Sequence, residues 1–188
     1  MSVDSDASRY DECRVWFPRH VLSQLQVEAE RSDPLETGGI LLGYRDEAGG
    51  EIVVTAMVGP GRDARHRRRS FVPDHSFHER EVARLYTESG RTWSYLGDWH
   101  THPGGPLSLS LKDQRTLTRI ARARTARVAH PVMVLLASGA PMAAIAPGAD
   151  AIDVGAWRIG AWVLRDASSF WSAWRVRVLA TRCTVVHF

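Results

Sequence analysis

The chain has 188 residues, 44% of them hydrophobic, and a formal net charge of only +3, which suits one domain with a buried core and argues against a uniformly cationic nucleic-acid binder. No stretch approaches the ~18 apolar residues that a membrane span needs. The start MSVDSDASRYDE lacks the build of a secretory signal, and Cys13 and Cys183 stand near opposite ends, so neither a disulfide framework nor a paired-cysteine zinc site is indicated and a soluble, cytoplasmic protein is expected.

In chain order, residues 1–13 are polar and are expected to be a flexible N-terminus. Arg14 to Phe17 reads as a short strand that Pro18 interrupts, and a helix follows from about Arg19 to Arg31, with Val21, Leu22, Leu25, Val27 and Ala29 as its apolar side. The Ser32-Asp33-Pro34 signal ends it, placing Glu36 just ahead of a buried strand at Gly39 to Tyr44. A hairpin through Asp46 to Gly50 leads to a β-branched strand, Glu51 to Val58, and an arginine-rich loop comes next, with Arg65, Arg67, Arg68 and Arg69 between 62 and 69. Asp74 can cap a helix that runs to Ser89, with Phe77, Val82, Leu85 and Tyr86 apolar.

Ser94 to His102 returns to an extended pattern, and a Pro/Gly loop precedes a helix from Ser110 to about Ala126, with Leu117, Ile120 and Ala121 inward. Pro131 to Ala137 and Met142 to Ala146 read as strands. The tail from Ile152, rich in tryptophan and valine, suggests one or two further strands, or a strand and a short helix. Trp157, Trp162, Trp171 and Trp174 are expected to pack a core or an oligomer contact.

The chemistry concentrates in one constellation. His100 and His102 flank a single residue on an extended segment, so both imidazoles fall on one face and can meet one ion. Ten residues separate His102 from Asp113, which in the first turn of the next helix can add an oxygen ligand. Two histidines and one carboxylate leave a fourth position open, as catalytic zinc requires. Water activated by such a metal needs a base to take its proton, and Glu36 is the candidate. Ser110, three residues before Asp113, also fits an N-cap. His66, His75, His78 and His130 lie outside this pattern and are given hydrogen-bonding or surface roles. The arginines of 62–69 read first as a solvated loop that could also meet an acidic partner.

These elements resemble the JAMM (JAB/MPN) zinc metalloprotease family, whose signature is a distant glutamate, His-x-His, ten residues, and an aspartate preceded by serine. Glu36-Thr37-Gly38-Gly39-Ile40-Leu41-Leu42-Gly43 looks like its glutamate segment and Gly97-Asp98-Trp99-His100-Thr101-His102-Pro103 like its metal strand. The family often has proline before the serine, where this chain has Leu109. The resemblance covers about residues 14 to 146 and implies an α/β, cytidine deaminase-like fold, a curled mixed sheet flanked by helices. It divides the chain into a catalytic domain at 14–150 and an extension at 151–188 packed on it.

The implied activity is isopeptidase cleavage with one Zn2+ per chain, His100, His102 and Asp113 as ligands, Glu36 as proton shuttle and Ser110 as oxyanion donor. Trp99 would line the substrate groove. Segments such as Phe71-Val72-Pro73-Asp74-His75 look most similar to bacterial members encoded beside activating and conjugating enzymes. Those cleave after the tail of a ubiquitin-like protein or its conjugate in antiphage systems. The alternatives are a non-catalytic MPN scaffold and a hydrolase trimming a small sulfur-carrier protein. A deaminase is excluded by the missing Cys-x-x-Cys ligands, and no membrane or nucleic-acid partner is expected.

Overall fold

Eight strands are joined in one sheet of order β10-β1-β3-β2-β6-β7-β9-β8, and β10 also pairs with β9, so that the sheet curls until it nearly closes on itself. The computed structural model describes residues 13–46, 51–139, 151–164 and 178–186. The strands are β1 (Arg14–Pro18), β2 (Gly38–Arg45), β3 (Glu51–Val58), β4 (Arg65–Arg67), β5 (Ser70–Val72), β6 (Ser94–His102), β7 (Val132–Ala137), β8 (Ile152–Val154), β9 (Trp157–Leu164) and β10 (Val178–Val186). Among the described residues three helices, α1 (Arg19–Ser32), α2 (His75–Glu88) and α3 (Leu111–Arg122), lie between them. The sheet is mixed: β1 runs parallel to β3 and β10, and β6 to β7, while β2 is antiparallel to both β3 and β6.

The inner face of the curl holds the main core. Val21, Leu22, Leu25 and Ala29 of α1 meet Val15, Phe17, Leu41, Ile52, Val54, Leu96, Val132, Val134, Ile159 and Val163 from the strands. These four helical positions share one stripe at α-helical spacing. Val27 does not belong to it and is 64% exposed, contrary to its expected place on the apolar side. On the outer face, α2 lays Phe77, Val82 and Leu85 over Ile40, Leu42 and Val58, while Tyr86 points to solvent and was wrongly expected inward. Helix α3 sets Leu117 against Met133 and Leu164, with Leu109 and Ala121 at the margin.

Two close backbone approaches explain local sequence. At Gly39 a β-carbon would collide with the Val58 carbonyl and the Trp99 indole, so β2 can pass between them only as glycine. At Gly97, where φ is 152°, a β-carbon would run into the Val132 carbonyl of β7. A bulge lies here, since Leu41 pairs with Gly97 but Leu42 with Tyr95. It resets the alternation of β6 so that Tyr95 and Asp98 come to one face, where the Tyr95 hydroxyl donates to Asp98 Oδ1 at 2.6 Å.

Three further expectations need revising. The arginine-rich stretch is not a plain loop, because Arg65–Arg67 and Ser70–Val72 form a two-stranded ribbon apart from the main sheet. Helix α3 ends at Arg122, where Ala123 leaves helical geometry with ψ 107°, and not near Ala126. The tail supplies β8, β9 and β10, three strands with Trp157 buried and Trp162 half-buried. The expected turn through Asp46 to Gly50 lies mostly, and the expected strand Met142 to Ala146, Trp171 and Trp174 lie wholly, outside the described residues.

Candidate active site

Strand alternation carries His100 and His102 to the outer face of β6, beside the start of α3. Their Nε2 atoms are 3.1 Å apart, and Asp113 Oδ1 is 3.4 Å from the first and Oδ2 3.7 Å from the second. Among the described residues these three form a group able to hold a metal ion, with ligand atoms all within 4.8 Å of one another. The donor set passes a simple geometric test. Ligands ~2.0–2.1 Å from a tetrahedral zinc stand about 3.4 Å from one another, close to the 3.1 Å between the two histidine nitrogens and the 3.4 Å from His100 Nε2 to Asp113 Oδ1. His102 Nδ1 lies 3.3 Å from the Pro106 carbonyl. A carbonyl can only accept, so that ring nitrogen carries the hydrogen and Nε2 keeps its lone pair for the ion. Burial, aided by the charge of His100, pushes His102 below the ordinary histidine range and so favours its neutral, ligating form.

Asp113 is placed by the start of α3. Ser110 is the N-cap, its Oγ accepting from Asp113 N at 3.2 Å, while Asp113 Oδ2 accepts from Ser110 N and Ser110 Oγ at 2.7 Å each, a complete capping box. Burial works to raise the Asp113 carboxyl, but the hydrogen bond and charge of His100 and the two Ser110 donors outweigh it and hold the group well below the usual carboxylate range. The departure at Leu109 does not disturb this turn. Ser110 has ordinary extended geometry, φ −72° and ψ 165°, and Leu109 is absorbed by the small core around Leu117.

Glu36 reaches the same place from the other side. It lies in the connection between α1 and β2, half-buried, and its carboxyl is raised by burial, although the charges of His100 and Lys112 oppose that and Asp113 adds to it. The next residue is fastened to the metal strand. Thr37 N donates to Thr101 Oγ1 at 2.9 Å, and Thr101 N donates to the Thr37 carbonyl at 2.9 Å. Thr101, between the two histidines, faces the opposite way and is fully buried. Thus the His-x-His spacing also supplies, in its middle residue, the tie that sets Glu36 beside the two histidines. Sequence reasoning missed Thr37 and Thr101; the alternation that paired the histidines was the signal that could have found them.

Trp99 requires a correction. Expected in the substrate groove, it is 1% exposed and buried in the main core, its indole N–H donating to the Val58 carbonyl at 3.0 Å. Alternation forces this: residues that flank a ligand on a strand face away from it. His78 is likewise structural, buried and bonded to the Gly59 carbonyl at 2.8 Å.

Three convergent donors beside a half-buried carboxylate are the layout of a metal-dependent hydrolase. The chain belongs to the prokaryotic homologs of the JAB domain, a metallo-isopeptidase family that matches it over residues 18–159. It is 41% identical over 126 residues to a probable metalloprotease of Sinorhizobium fredii, the match covering 66% of this chain and 76% of that one. It is also 32% identical over 120 residues to a CD-NTase/cGAS isopeptidase of Enterobacter hormaechei, over 61% and 62% of the two chains. A CD-NTase/cGAS isopeptidase of Escherichia coli is 37% identical over 68 residues, over 36% and 42%. The match therefore spans less than two thirds of either isopeptidase. A solution structure of a Desulfitobacterium hafniense protein shares the fold, with a TM-score of 0.61 at 14% identity over 93% and 94% of the chains. No helix among the described residues is long and apolar enough to cross a membrane.

Proposed function

We propose that this protein is a zinc-dependent isopeptidase that cuts the bond following the C-terminal tail of a ubiquitin-like protein, releasing it from a conjugate. The observation that carries the reading is the convergence of His100, His102 and Asp113 with Glu36 tied beside them through Thr37 and Thr101. His100, His102 and Asp113 would hold one zinc ion. Bound there, the metal supplies Lewis acidity, polarising the scissile carbonyl and making water a better nucleophile. Glu36 takes the proton of the attacking water and returns it to the nitrogen as the C–N bond breaks, leaving a carboxylate and a free amine. We take residues 14–150 as the catalytic unit and 151–188 as an extension packed on it; the pairing of β9 with β7 supports the packing.

The two relatives named CD-NTase/cGAS isopeptidase support a CD-NTase/cGAS conjugate as substrate; the bond after a ubiquitin-like tail, a cytoplasmic location and a role in antiphage defence complete the proposal. Activating and conjugating enzymes that form the bond are the expected partners. The test is elemental analysis of protein purified without an affinity metal, followed by cleavage of a ubiquitin-like fusion with and without chelator. Zinc near one per chain and chelator-sensitive cleavage after the tail are expected; no cleavage by zinc-loaded protein would leave a scaffold.

Ser110 is the oxyanion donor in this reading, yet its one hydroxyl proton is given to Asp113 Oδ2 at 2.7 Å. It must turn toward the carbonyl oxygen during the reaction. Ser110→Ala is expected to lower kcat by about a hundredfold with zinc retained, and to cost about 1 kcal/mol of stability through the lost cap. Steady-state kinetics and urea unfolding read the two effects separately, and an unchanged kcat would reduce Ser110 to a cap.

The pH profile offers a further check. Glu36 must be ionised to take a proton, so activity is lost as pH falls through the acid limb of kcat/KM; in the metal-free protein burial raises its carboxyl, and a bound cation works against that rise. The positive charge of Lys112 favours the carboxylate. Lys112→Gln is therefore expected to move that limb to higher pH, and a limb that stays in place would mean another group titrates.

A further inference from the structure

We infer that His66 is a positioning residue for Glu36, an inference that rests on the assignment of Glu36 as proton carrier. Glu36 belongs to neither α1 nor β2, so no ladder satisfies its backbone, and buried or half-buried peptide groups need partners. Both come from one place. Glu36 N donates to the Arg67 carbonyl at 2.8 Å, and His66 Nδ1 lies 3.0 Å from the Glu36 carbonyl. Since that oxygen only accepts, His66 Nδ1 is the donor. The ribbon of β4 and β5 thus clamps the peptide units on both sides of the Glu36 Cα.

The ring of His66 is itself held. His66 and Phe71 are paired across the ribbon, their rings 5.3 Å apart and tilted by 46°. Phe71 in turn packs over Gly38, its ring edge 3.0 Å from where a β-carbon would stand, and Gly38 pairs with His100 in β6. One stack therefore links the ribbon to the metal strand. Isolated two-stranded ribbons are marginal in water, so a ribbon with three-residue strands depends on contacts of this kind. On the other side, Thr37 is fastened to Thr101. Glu36 stands between two anchors, the ribbon and the Thr37 to Thr101 tie, and losing the His66 bond with its ring stack loosens the ribbon, the Arg67 carbonyl included, leaving the carboxylate free to swing about the Thr37 tie. Displacing a catalytic group by ~1 Å can cost about a hundredfold in rate.

The test uses the zinc-loaded full chain with His66→Asn, His66→Gln and His66→Leu. Asparagine can place its amide N–H where Nδ1 stands; glutamine carries its own a bond further out and leucine has none. For H66L and H66Q we expect kcat to fall by about ten- to a hundredfold with KM and zinc content unchanged, and for H66N to stay within about threefold of the parent.

Hydrogen exchange gives a readout that needs no turnover. The Glu36 amide, bonded to Arg67, should lose at least about tenfold of its protection in H66L and H66Q, keep it in H66N, and leave the Thr37 amide unchanged in all three. Equal Glu36 protection in H66L and the parent would overturn the inference. So would parallel loss at Glu36 and Thr37, which would make His66 merely structural. If the zinc-loaded parent hydrolyses nothing, the isopeptidase reading fails while the amide pattern still decides the positioning.

Discussion

Glu36→Gln is expected to abolish turnover, lowering kcat by about 10²–10⁴-fold, the range for a positioned general acid–base group, while zinc stays bound. The two outcomes separate because Glu36 is not among the three ligand donors. It enters from the connection before β2 and reaches the site through the Thr37 to Thr101 tie. Glutamine keeps the volume and the backbone bonds to Arg67 and His66 but cannot accept a proton. Kinetics paired with elemental analysis decide the matter. Loss of zinc in this variant would make Glu36 a ligand and contradict its assigned role, and full activity would leave the proton without a carrier.

Asp113→Asn is expected to weaken zinc binding by more than about a hundredfold, since removing even an outer partner of a metal ligand costs 10–100-fold, and to remove activity with the metal. Asp113 carries two loads. Its oxygens stand 3.4 and 3.7 Å from the histidine nitrogens, and Oδ2 also closes the capping box with Ser110. Asparagine keeps one carbonyl oxygen for the cap but loses the charge, so α3 should remain capped. Asp113→Ala loses both and should cost about 1 kcal/mol more in chelator-treated protein.

The metal-free parent adds a sign to check. Asp113 is held below its ordinary range, so it contributes stability that is present above the unfolded carboxylate pKa and lost as pH falls through the folded one. The Asn variant should lack this acid sensitivity. Chelator competition and thermal unfolding read both effects, and parent-like zinc affinity in D113N would reduce Asp113 to a helix cap.

Much of the site was legible because its chemistry follows local periodicity. Alternation on one strand puts His100 and His102 on one face, a serine N-cap places Asp113 in the first turn of the next helix, and a turn signal leaves Glu36 at the mouth of a strand. The same alternation should have removed Trp99 from the groove, since it faces opposite to its histidine neighbours. The ribbon at Arg65 to Val72 was not legible. Its strands have three residues each, too few for a periodicity to register, and arginine is not a strand-forming signal.

The sequence by itself determined most of the longer strands, the three helices apart from the end of α3, the candidate metal-binding residues and the family, because side-chain period and ligand spacing are local properties. Only the tertiary structure decided how Glu36 meets the ligands, that the tail closes the sheet through β9 and β10, and that His66 grips the Glu36 carbonyl. The contacts at Glu36 and Thr37 join residues 30 and 64 positions apart in the chain, and β10 reaches back to pair Arg182 with Arg14. Such pairings depend on how a curled sheet brings distant segments together, and no local pattern encodes that.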